Sequence, residues 1–413
     1  MSTTGQSREQ PAAGPEAKPM RGIRVVELAH WMAGPLTAGL MADWGAEVIK
    51  IEPPGGDPMR AIYASLGARS DAPNGAFIVA NRGKRSIELE IKSEAGREAF
   101  DKLLGSADVF VTNLRPDALD RLGLNPRTTC DRFPRLVYCT LSAYGWGGPD
   151  QDRPGYDIAA FFGRTGIAHE ITTAGSPPAA LMQGIGDSFT ALSAATGVLA
   201  ALLERATSGR GRVVEASLLR TGMWALAGEL GVQALGGNPR PPYPRDQSRT
   251  PLYNSYRSGD GRWFFLVGVE AKRHISSVLK AVGRADLIDD DRFKGARAIS
   301  KNRDTLIPLL DAAFASQPMA YWAEKFDEFD VWWAPVQTPA EVVDDRQAAA
   351  AGSWIDVSTD GGAAVKSVDS PIRFDGQNRP VAKGPPKLGQ HTREILDELG
   401  YAGVDAAKFT GAQ

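Results

Sequence analysis

The stretch RPGYDIAAFFGRTGIAHE, residues 153–170, carries one carboxylate near each end, Asp157 and Glu170, around a run of small and apolar residues. A carboxylate in a dry setting can attack an acyl group or carry a proton, since burial raises its basicity. The structural alternative is as concrete: an Asp after Gly-Tyr at a loop-to-helix junction serves as an N-cap. Glycine and alanine in such density imply backbone lying close to something bulky. Cations gather elsewhere. NRGKRS (81–86) sets Lys84 and Arg85 at the start of a strand, and TNLRPDALDRLG (112–123) adds Arg115 and Arg121. Cations at strand ends and helix starts suit phosphate groups. His30 stands in the turn LAHWMAGP, where packing against a ligand is favoured over direct chemistry.

Other chemistries lack their residues. His30, His169, His274 and His391 show no metal-ligand spacing, and Cys130 and Cys139 form no C-x-x-C, so no metal is expected. The first turn is not G-x-G-x-x-G, which argues against a nicotinamide or flavin dinucleotide. Neither a G-x-S-x-G elbow nor a Walker loop occurs.

These residues need elements to hold them. RVVEL reads as a strand, Pro35 opens the helix that Gly45 ends, and AEVIKIE is the next strand, which makes a βαβ unit. KRSIELE, SEAGREAFDKLLG, ADVFVTN, RPDALDRLG and RLVYCTLSAYG repeat the alternation, so an open α/β domain with a parallel sheet is predicted. A long apolar helix covers DSFTALSAATGVLAALLERATSG, closed by Gly209. The proline-rich GGNPRPPYPRDQSRTP then marks a boundary. YNSYRS and RWFFLVGV flank a GDG turn in a smaller unit. The expected division is a disordered tail over 1–20, a large domain over 21–225, a small domain over 226–330 and a return to the large domain over 331–413.

A chain of 413 residues exceeds one typical core, and 43% apolar with 23% charged residues is ordinary for a globular protein. A net charge of −2 leaves no basic field for nucleic acid. Two cysteines exclude a disulfide scaffold and fit a reducing cytoplasm. No run of about 18 apolar residues is evident, so no membrane span is expected.

Six segments, in order, resemble the class III CoA-transferases, the group containing formyl-CoA:oxalate and carnitine CoA-transferases. They are GIRVVELAHWMAGPLTAGLMADWGAEVIKIEPPGGDPMR, NRGKRSIELEIKSEAGREAF, ADVFVTNLRPDALDRLGL, RLVYCTLSAYGWGGP, TSGRGRVVEASL and PPKLGQHTREILDELGY. Together they span nearly the whole chain after residue 20. PGYDIAAFFGRTGIA with GIGD looks most like the branch that includes cinnamoyl-CoA:phenyllactate CoA-transferase. The resemblance implies a Rossmann-like large domain built from both chain ends, an inserted α+β domain, and an interlocked ring-like homodimer. It implies coenzyme A as substrate, contacted by His30, Trp31, Ala33, Lys84, Asn113, Leu114, Arg121 and Tyr144. It further implies CoA moving between carboxylic acids through an enzyme carboxylate, with Gly236 and Gly237 of GGNP in a mobile lid.

The match departs at one point. In formyl-CoA:oxalate transferase the nucleophilic Asp stands just before Gly-Pro-Pro, whereas TTAGSPP puts Gly175 there. The carboxylates left for the role are Asp187, Glu170 and Asp157. Asp187, in GIGD, falls where acyl-CoA racemases of this fold keep a catalytic Asp, and Glu270 falls where they keep a supporting Glu. Asp187 would equally cap the helix from Ser188. Racemases carry a His at the position of Tyr156, and a phenol of pKa about 10 replaces imidazole poorly. The transferase reading therefore leads, with an α-methylacyl-CoA racemase second and a CoA-binding homologue without turnover third.

Overall fold

The computed structural model describes residues 18–65, 74–179, 181–237, 243–359, 363–375 and 381–411. The chain divides into two compact units: residues 1–167, 180–234 and 350–413 form the first, and 168–179 with 235–349 form the second.

The first unit is built on six parallel strands, β1 (Arg24–Leu28), β2 (Glu47–Glu52), β3 (Arg85–Glu88), β4 (Val109–Thr112), β5 (Val137–Ser142) and β6 (Val213–Ser217), in the order β3-β2-β1-β4-β5-β6. Successive side chains point to opposite faces, so each strand feeds two cores. Val25, Val48, Val111 and Cys139 pack beneath α1 (Ala33–Asp43) and α5 (Ile185–Ser208). On the other face, Val26, Ile49, Phe110 and Tyr138 pack against Phe100 and Leu103 of α3 (Glu94–Ser106). Between these helices lie α2 (Gly75–Asn81) and α4 (Pro116–Arg121), and α6 (Leu218–Ala225) follows β6. Local sequence sets the limits: Ser93 Oγ accepts from Gly96 N at 3.0 Å to start α3, and Gly209, at φ +71°, closes α5.

The second unit has its own core. β7 (Tyr253–Arg257), β8 (Trp263–Val267) and β9 (Trp333–Pro335) form an antiparallel sheet. Against it pack α7 (Ala271–Ala281), α8 (Ala296–Lys301), α9 (Arg303–Phe314) and α10 (Met319–Glu328), around Phe264, Phe314, Trp322 and Phe326.

The last segment re-enters the first unit through the hairpin β10 (Trp354–Ser358) and β11 (Ala364–Val368), then α11 (Thr392–Glu398). Buried Arg82 bonds Asp43 at 2.6 Å and donates to the Val368 carbonyl at 2.7 Å, while Arg85 reaches Glu394 and Glu398 on α11.

Three boundaries differ from expectation. The chain leaves the first unit at Leu235, not 226, and returns at Ala350, not 331. The later return has a cause: β9 completes the small sheet by pairing with β8. Residues 168–179, expected in the large domain, group with the second unit. Of the expected tail, residues 1–17 lie outside the described residues, while Met20 is buried in the core and bonds the Trp44 carbonyl at 2.9 Å. One helix, Ile185–Ser208, is long and apolar enough to cross a membrane by length and composition, contrary to the sequence reading. Its small residues Ala194, Ala195 and Val198 nonetheless pack into the sheet core.

Candidate active site

Strand order reverses between β1 and β4, so the loops leaving their carboxyl ends diverge and open the crevice where α/β sheets bind ligands. Asn113 stitches the two loops together: its Oδ1 accepts from His30 N at 3.0 Å and its Nδ2 donates to the His30 carbonyl at 2.7 Å. Next, Trp31 adopts φ +65°, a left-handed conformation uncommon for a bulky side chain. Its N–H donates to Asp57 Oδ1 at 3.2 Å, and its ring meets Tyr156 edge-on at 5.9 Å.

A buried charge network supports this loop. Asp57 Oδ2 accepts from Lys50 at 2.9 Å, and Lys50 also donates to Glu27 at 2.8 Å and to the Ala29 carbonyl. Lys84 donates to Glu27, to the Pro35 carbonyl and to Asn81. Burial pushes the Lys84 ammonium down to about 8 although Glu27 pulls the other way. Burial acts likewise on Lys50, but Glu27 and Asp57 outweigh it and hold that ammonium above its usual range. Burial also lowers His30, against the pull of Asp57.

Thus His30, Trp31, Asn113 and Leu114 gather at the crevice, and Ala33 is buried at the first position of α1. Tyr144 follows β5, packed so closely against Gly155 that a Cβ there would lie 2.9 Å from the ring; this explains one of the glycines in the opening stretch. Arg121 is exposed at the end of α4 and pairs with Asp117 at 2.8 Å. Lys84 stands apart from the phosphate role given to it, because its three protons are already taken by Glu27, Pro35 and Asn81.

The three acids separate cleanly. Asp157 is 2% exposed and itself helical, ahead of a π-helical turn over Ile158–Gly163, and makes no cap bond to that turn. The expected local N-cap is replaced by a distant one: Asp157 Oδ2 accepts from Gly184 N at 2.7 Å and Gly186 N at 3.3 Å, at the start of α5. Gly186 is required there, since a Cβ would lie 2.6 Å from Phe161. Asp187, in the first turn of α5, makes no hydrogen bond or ion pair among the described residues, so it does not cap the helix. Burial, aided by the Asp157 carboxylate, pushes it up to about 7. Glu170 is exposed, on the segment that groups with the second unit. Gly175, in that same segment, adopts φ +80°, where L side chains are rare. Neither thiol is a nucleophile at neutral pH, since burial pushes Cys139 up to about 12 and Cys130 up to about 11.

Sequence reasoning missed Glu27, Lys50 and Asp57. The signal was present: a single charge stands among apolar neighbours in RVVEL, and Lys50 interrupts EVIKIE.

A parallel sheet in this order, with its crevice at the switch point, defines a Rossmann-like α/β protein. Residues 20–392 match CoA-transferase family III, and the chain belongs to that family. It is 33% identical to the (R)-2-hydroxy-4-methylpentanoate CoA-transferase of Clostridioides difficile, over 92% of this chain and 96% of that one. With the cinnamoyl-CoA:phenyllactate CoA-transferase of Clostridium sporogenes it shares 31% identity, over 92% and 93%. The crystal structure of a CAIB/BAIF family protein from Brucella suis superposes with a TM-score of 0.80 at 29% identity, covering 93% of this chain and all of that one. The protein is a CoA-transferase acting between carboxylic acids.

Proposed function

We propose that the transfer runs through Asp187, with Asp157 as its anchor and the β1 and β4 loops as the CoA cradle. The carrying observation is the contrast between two neighbouring acids. Asp157 has one oxygen committed to two backbone N–H groups, while Asp187 is free of hydrogen bonds among the described residues and raised to about 7.

Asp187 attacks the carbonyl carbon of the donor acyl-CoA, and CoA leaves as a thiolate with the bonding electron pair. The mixed anhydride left behind is attacked by that thiolate at the enzyme's carbonyl. This frees the donor acid and leaves CoA as a thioester on Asp187. The acceptor carboxylate attacks this thioester and expels the thiolate, forming a second anhydride; the thiolate then attacks the acceptor's acyl carbon and Asp187 leaves as the free carboxylate. Each tetrahedral step places negative charge on an oxygen near the positive end of α5.

His30, Trp31, Ala33, Asn113, Leu114 and Tyr144 hold CoA along the crevice. Phosphate pairing falls to Arg121, which is exposed, while Lys84 braces the loop from below. Near Asp187, Tyr156 and Phe189 are exposed, which supports an apolar or aromatic acyl group. Exposed Leu203 and Trp224 support a homodimer, and we place the enzyme in the cytoplasm.

The test is CoA exchange between an acyl-CoA and a panel of free acids, followed by hydroxylamine trapping and mapping of the modified residue by mass spectrometry. Adduct on Asp187 supports the assignment. Adduct on Glu170 overturns it, and deuterium wash-in at the α-carbon without exchange would favour a racemase.

A further inference from the structure

A basin of about 1130 Å³ opens in the second unit, lined by residues around β7, the end of β8 and the junction of α8 and α9. Three guanidiniums face it: Arg249, Arg297 and Arg303. Arg303 is partly engaged: its Nε lies 3.5 Å from an Asp304 carboxylate oxygen, too poorly placed for a hydrogen bond, and its Nη1 donates to the Ser300 carbonyl at 3.2 Å. Arg249 and Arg297 are exposed and make no hydrogen bond or ion pair among the described residues. A shallower hollow sharing Ala271 and Ala296 adds Lys272 and Arg273, with Glu270 as its acid. Cations therefore outnumber carboxylates around a concave surface, an arrangement that repels itself until an anion enters. Tyr243, Tyr253 and Val269 give the same basin an apolar lining.

We infer that this basin binds a small organic anion with an oxyanion head, carboxylate or phosphate, on an apolar or aromatic body. The planar forks of Arg249 and Arg297 match either head with paired N–H donors. The tyrosine rings receive the body, and their hydroxyls stay wet. The inference is independent of the choice of nucleophile, because every residue it uses lies in the second unit. Two sources carry the required chemistry: a free carboxylic acid of the kind the enzyme exchanges, or the phosphates of CoA.

Isothermal titration of the full chain separates them, with 3-phenylpropanoate as the carboxylate probe and inorganic pyrophosphate as the phosphate probe. One probe binds, and R249A and R297A each weaken it about tenfold, the loss expected for one charge-assisted contact. Both side chains are exposed, so circular dichroism should show unchanged folding; R297K, which keeps the charge, should recover part of the affinity. R292A, whose guanidinium pairs with Asp290 and does not line the basin, leaves binding unchanged. D187N also leaves it unchanged, which keeps this outcome separate from failure of the catalytic assignment. Binding of the carboxylate names the acid as occupant, and binding of pyrophosphate names the phosphates. Silence from both probes, or equal affinity in wild type and the R249A/R297A pair, overturns the inference.

Discussion

Asp157 and Asp187 differ by what surrounds their oxygens, and the difference makes opposite predictions for their removal. D187N should abolish exchange while leaving CoA affinity within a few-fold. The acid limb of the wild-type kcat/KM profile should fall away below about 7, because the nucleophile must be ionised. The same group shapes stability. Its folded pKa is raised above the unfolded value of about 4, so the folded chain holds the proton more tightly and stability falls as pH rises from about 4 to about 7. Urea denaturation of D187N at several pH values should lack that slope. D157A, by contrast, strands one buried and one part-buried N–H group at the start of α5 and should cost about 1–3 kcal/mol, read as a lowered urea midpoint. Between these acids the sequence left the choice open, because a side chain that caps a helix 27 residues away is invisible to local patterns.

At the scale of elements, five of the six strands and the helices between most of them were legible from alternation alone, since parallel strands buried on both faces read as short apolar runs. RVVEL, ADVFVT and RLVYCTLS all emerged as strands. What could not be read was the traffic between elements. Lys84 belongs to Glu27 on β1, although its neighbours in NRGKRS suggested a phosphate ligand. The central pairing of Glu27 with Lys50 and Lys84 is fully buried, so E27Q leaves two ammonium groups without their shared anion. A loss of about 3–5 kcal/mol is expected, measured as a drop in thermal midpoint. At the helix start, G186A forces a methyl into Phe161 and Asp157 and should lower stability by about 1–3 kcal/mol, reducing kcat more than it raises KM.

Across the whole molecule, exposed apolar groups mark a surface that water does not favour. Trp224 is 81% exposed and Leu203 76%, both in the first unit. Light scattering after size exclusion should give a dimer for the wild type, and L203E/W224S should shift it toward monomer. A persistent dimer in that variant would move the interface elsewhere. The first unit is also assembled from distant parts of the chain. Arg82 is buried against Asp43, yet its bond to the Val368 carbonyl spans 286 residues. A ribosome adding about 5–20 residues per second makes that partner roughly 15–60 s after Arg82 itself. During this interval the nascent sheet carries an uncovered β3 edge and a half-satisfied guanidinium. The newborn chain is therefore expected to depend on chaperones until its last segment emerges, and a stop codon shortly before Trp354 should make that dependence permanent, read as aggregation of the truncated chain.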